Sequence, residues 1–83
     1  MVNLEDFWSL NVTSKIDINI SSDLDYENLI AEVIIEGNFV GLVTNEPSKE
    51  ICYEAPEGQV SDKPVDLDIF IEALKEAKRL LLK

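Results

Sequence analysis

Two runs rich in β-branched and large apolar residues, 29–36 (LIAEVIIE) and 39–44 (FVGLVT), are separated only by Gly37-Asn38. A two-residue spacer between such runs favours an antiparallel hairpin, because Gly supplies the positive φ that tight turns demand. With Gly37-Asn38 as the loop, Glu36 is expected opposite Phe39, Ile35 opposite Val40, Ile34 opposite Gly41, Val33 opposite Leu42 and Glu32 opposite Val43. Side chains alternate between faces along a strand, so this register assigns every hairpin residue to one side of a sheet.

The flanking sequence extends the sheet. Val12, Ser14, Ile16, Ile18 and Ile20 alternate with Thr13, Lys15, Asp17 and Asn19, the period of a half-buried strand, and Ser21-Ser22-Asp23-Leu24-Asp25 breaks it into a loop. After a second loop, Glu46-Pro47-Ser48-Lys49, residues 50–55 read as a fourth strand. A polar, turn-rich connection over 56–64 follows. Asp66 is placed to cap a helix, with Val65 and Phe70 spaced as a hydrophobic staple. Leu67, Phe70, Ile71, Leu74, Ala77 and Leu81 form one apolar stripe at helical spacing. Asp66 and Asp68 sit at the positive end of the helix dipole, and Lys78, Arg79 and Lys83 at the negative end. Near the start, Asn3 and Asp6 with Leu4, Phe7 and Trp8 are compatible with a short helical turn.

Neither a repeat nor a linker divides the 83 residues, so a single α+β domain over 1–83 is expected. Its architecture is a four-stranded antiparallel β-meander with a C-terminal amphipathic helix on one face. The helix should pack on Ile16, Ile18, Ile20, Leu29, Ala31, Val33, Ile35, Val40, Leu42, Ile51 and Tyr53. The same register puts Asp17, Ile30, Glu32, Ile34, Glu36, Phe39, Gly41, Val43, Glu50, Cys52 and Glu54 on the other face. A fully solvated face is mostly polar, whereas this one mixes large apolar side chains with carboxylates, the composition of a protein-binding surface. Glu32, Ile34, Glu36, Phe39, Val43, Glu50 and Glu54 are the candidate partner-binding residues. The competing reading is that the N-terminal segment covers this face, with Phe7 and Trp8 as a lid.

Charge narrows the partner. The formal net charge is −10, and residues 1–62 hold thirteen acids against only Lys15 and Lys49. Nucleic-acid phosphate and anionic membrane would be repelled, since binding them releases no counterions from an acidic surface. A basic protein surface is the complement, although solubility alone also accounts for such acidity.

Several chemistries lack their residues. The absence of histidine removes the usual general base near neutral pH, the common nucleophile pairs and the commonest zinc ligand. Cys52 has no activating base nearby, and the flanking Glu50 and Glu54 disfavour a thiolate. Asp23, Asp25 and Glu27 begin like a calcium loop, but Asn28 stands at the glycine position and Ile34 at the closing glutamate position. The three glycines are too far apart for a phosphate loop. The chain is therefore read as a non-enzyme without metal or cofactor. A lone cysteine and the acidic opening MVNLEDFWSL, which lacks a leader's apolar run, point to the cytoplasm, and no stretch approaches the ~20 apolar residues of a membrane span.

The stretches Leu29–Gly37 and Asp66–Leu74 resemble those of small bacterial proteins that pair a hairpin with a closing amphipathic helix, among them immunity proteins that neutralise a cognate toxin by binding it. This resemblance covers residues 28–83 and carries no signature residue. It implies an inhibitor of a toxin, and the acidity of the chain makes a basic toxin the expected partner. Two other readings stay open: a structural or assembly module, such as a homodimer joined through sheet faces or edge strands, and a nucleic-acid mimic, which would need two spaced rows of carboxylates with little apolar surface between them.

Overall fold

The computed structural model describes residues 15–58 and 64–83. The N-terminal helical turn, the lid formed by Phe7 and Trp8, and the strand positions Val12 to Ser14 lie outside these residues. Four antiparallel strands, β1 (Ile16–Ser21), β2 (Ile30–Ile35), β3 (Asn38–Thr44) and β4 (Cys52–Glu54), follow one another in spatial order. One helix, α1 (Leu67–Leu81), lies across the face of this meander. The α+β architecture read from the sequence is the one observed.

The hairpin turn sits one residue earlier than the spacing suggests. Ile35 pairs with Asn38, so Glu36 and Gly37 form the loop, with φ of 50° and 82°. Positive φ at both loop positions is the signature of the turn whose twist matches that of the flanking strands. The ladder then slips: Ile34 pairs with Phe39, but Val33 pairs with Gly41, leaving Val40 as the extra residue of a β-bulge. Beyond the bulge Glu32 faces Leu42 and Ala31 faces Val43. Three expectations are corrected by this single inserted residue. Val43 lies in the core at 4% exposure instead of on the open face, and Leu42 takes the open face instead of the core. Gly41 also moves to the helix side, where it pairs with the buried Val33.

The core lies between α1 and the sheet. Ala31, Val33, Ile35, Val40 and Val43 meet Ala73 and Ala77, with Ile16, Ile18, Ile51, Ile69, Phe70, Leu74 and Leu81 packed around them. Each fully buried Val or Ile contributes about 1.5–3 kcal/mol. Ala73 and Ala77, both without exposed surface, form the helix's contact line and let its backbone approach β2. The buried stripe is rotated accordingly, and Leu67 and Ile71, expected inside, are exposed. Leu29 is likewise exposed, because β2 begins only at Ile30.

The ends of α1 follow local rules. Asp66 accepts from the Ile69 N–H at 3.1 Å, satisfying one of the orphan donors of the first turn. Lys78 and Arg79 occupy the last turn. Tyr53 covers the β4 side, its ring meeting Phe70 edge to face at 5.6 Å and its hydroxyl donating to the Val40 carbonyl at 2.6 Å.

Candidate functional site: the sheet face opposite the helix

Cross-strand partners share a face, so the register defines the surface away from α1 as three rows. Ser21, Ile30, Thr44 and Cys52 form one end; Asn19, Glu32, Leu42 and Glu54 the middle; Asp17, Ile34 and Phe39 the end beside the hairpin turn.

The first end is roofed. The β1–β2 loop folds on itself, with Asp23 accepting from the Asp25 N–H at 2.8 Å. It is then anchored to the β3–β4 loop, because the Glu46 carboxylate accepts the N–H groups of Glu27 and Asn28 at 2.8 and 2.9 Å and the Asn28 amide donates to the Asn45 carbonyl at 2.5 Å. Tyr26 reaches across to β4, donating its hydroxyl to Glu54 at 2.7 Å. That bond favours the neutral phenol and, together with burial and the charges of Glu54, Asp23 and Asp25, pushes Tyr26 up to about 12. Ile30 and Thr44 at this end are buried at 2% and 3%.

The other end is open. Phe39 is 44% exposed, Ile34 and Leu42 are half-buried, and the half-buried Glu32 and exposed Asp17 stand among them. Of the residues singled out from the sequence, Glu32, Ile34, Phe39 and Glu54 are brought together on this face. Val43 is not, for the reason given above. Glu36 belongs to the turn and lies 3.9 Å from Lys15. Glu50 precedes β4, its carbonyl accepting the Cys52 thiol at 3.1 Å. Leu42 and Tyr26 were not legible as members of the site. Leu42 arrives through the bulge, and the only hint for Tyr26 is an aromatic ring within an acidic loop.

The arrangement offers apolar ground beside carboxylates. A depression on the opposite side, between the hairpin turn and the start of α1, holds about 100 Å³, well short of the ~300 Å³ of ordinary ligand sites. Among the described residues, no group of His, Cys, Asp or Glu is placed to hold a metal ion, and no helix is long and apolar enough to cross a membrane. No family model, curated protein or solved structure matches the chain.

Proposed function

We propose that this chain is a protein-binding module of the immunity type, which neutralises a basic protein, such as a toxin, by docking it on the sheet face opposite α1. The observation that carries the reading is the open end of that face, where the exposed Phe39 ring lies beside Ile34 and Leu42 with Asp17 and Glu32 alongside. Large apolar side chains supply contact area, and the acids steer and select a cationic partner. Apolar residues between the carboxylates disfavour the mimicry of a phosphate backbone. Work by binding rather than catalysis fits a chain without histidine, and a cytoplasmic setting fits its lone Cys52.

The test is the association rate with a basic protein captured from the native cell by this chain, measured from about 50 to about 500 mM salt. Steering by the acidic face predicts a rate that falls by at least about tenfold over that range. A rate indifferent to salt removes the electrostatic part of the reading.

A further inference from the structure

The two edges of the sheet are unlike. β4 is three residues long, and Pro56 follows it closely, features that blunt an edge against further pairing. β1 is six residues long, pairs with β2 without a bulge, and contains no Pro, Gly or Lys. Among the described residues no strand pairs with its outer side.

The backbone groups available on that side can be identified. The Glu36 N–H donates to the Lys15 carbonyl at 2.8 Å, so Lys15 points its backbone polar groups toward β2. Orientation alternates along an antiparallel strand, so Asp17, Asn19 and Ser21 do the same and Ile16, Ile18 and Ile20 point theirs outward. We infer that the outer edge of β1 is a strand-addition site and that its occupant is β1 of a second copy, antiparallel about a two-fold axis through Ile18.

Register selects this occupant. Pairing Ile18 with its own symmetry mate and Ile16 with Ile20 of the other copy engages every outward N–H and C=O of the three isoleucines, about six hydrogen bonds. It also continues the apolar row on the helix side past Ile20, which is 38% exposed in the single chain. On the open face Asp17 falls opposite Asn19 of the other copy. The register two residues toward the N-terminus instead sets Asp17 against Asp17, and like charges directly opposite are destabilising. The register two residues the other way leaves outward groups of Ile16 without a partner inside the strand. A second copy therefore fits the edge in one register, burying isoleucines on one face and avoiding like charge on the other. The joint forms an eight-stranded sheet with both helices on the same side, and Phe39, two strands in on β3, takes no part in the seam.

Sedimentation of the full chain from about 10 µM to about 1 mM tests this, with three variants whose fold is checked by circular dichroism. The expected result is a reversible monomer–dimer equilibrium that strengthens with salt, since each copy carries a net charge of −10. Partner docking should show the opposite salt response. Ile20→Pro removes an outward donor and leaves the β2 ladder intact, and it should be monomeric throughout. Asn19→Lys, opposite Asp17 of the other copy, should dimerise at least about tenfold more tightly than Asn19→Asp. A wild-type chain that stays monomeric at every concentration and salt overturns the inference. So does folded Ile20→Pro that dimerises like the wild type, or an Asn19 pair with equal affinities.

Discussion

The ring of Tyr53 occupies the space that a side chain at Gly41 would fill. A Cβ there would clash with the ring and lie 2.7 Å from the Glu54 carbonyl oxygen, and the Gly41 φ of 144° is one that L residues rarely adopt. The bulge at Val40, the missing side chain at Gly41 and the seating of Tyr53 against Phe70 thus form one unit.

Gly41→Ala should be among the most damaging single-methyl additions to this protein. Clash and backbone strain together are expected to cost about 2–4 kcal/mol, a large part of the total stability of a domain this small, so Tm should fall by more than about 10 °C. Gly37→Ala is the comparison: its φ is also positive, but a Cβ meets nothing within 4 Å, and a loss of only about 1 kcal/mol is expected. Thermal melts of the two variants side by side check the order.

The turn makes a stabilising prediction. Glu36 holds a φ of 50°, a conformation that Asn tolerates better than Glu. Its exposed contact with Lys15 at 3.9 Å offers little in return. Glu36→Asn should raise stability by about 0.5–1 kcal/mol in denaturant titration. Were the loop Gly37-Asn38, Glu36 would be an ordinary strand residue and the change would be neutral or harmful.

These two sites also mark how far the sequence alone could be read. The cap at Asp66 was legible because it is set by a residue three positions away. The β2–β3 hairpin was legible because its spacer is two residues, whereas a meander order for the outer strands was expected but not dictated by the sequence, since the connections over 22–29 and 45–51 are longer. The bulge was not legible, because nothing within 39–44 says which residue is doubled. That is decided by the space Tyr53 needs at Gly41 and by the burial of Val40 together with Val43, both of them tertiary effects. One inserted residue then exchanges Leu42 and Val43 between faces while leaving Ile34 and Phe39 where the pattern placed them. The candidate face was therefore legible in part: its anchors Phe39 and Ile34 and its acids Asp17, Glu32 and Glu54, but neither Leu42 nor the Tyr26 contact that ties the β1–β2 loop to Glu54.

Tyr26 gives a pH signature. Its pKa is raised from 10.0 to about 12, first by the hydrogen bond to Glu54, so the folded chain holds the phenolic proton more tightly than the unfolded one. Stability from this contact is fully present below about pH 10 and is lost as pH rises through 12. Ultraviolet titration of the folded protein should show a phenol ionising near 12, a transition missing in Tyr26→Phe and moved to lower pH in Glu54→Gln.

The claim that the face opposite α1 is the docking surface is tested most directly by Phe39→Ala, measured for affinity to the basic partner and for stability in parallel. Phe39 is 44% exposed and Val43 is 4% exposed, so the two should separate binding from folding. Phe39→Ala is expected to weaken binding by about 2 kcal/mol, roughly thirtyfold, with Tm nearly unchanged. Val43→Ala should lower Tm through the cavity it leaves in the core and spare the affinity of the folded fraction. A folded Phe39→Ala protein that binds its partner as tightly as the wild type would contradict the account.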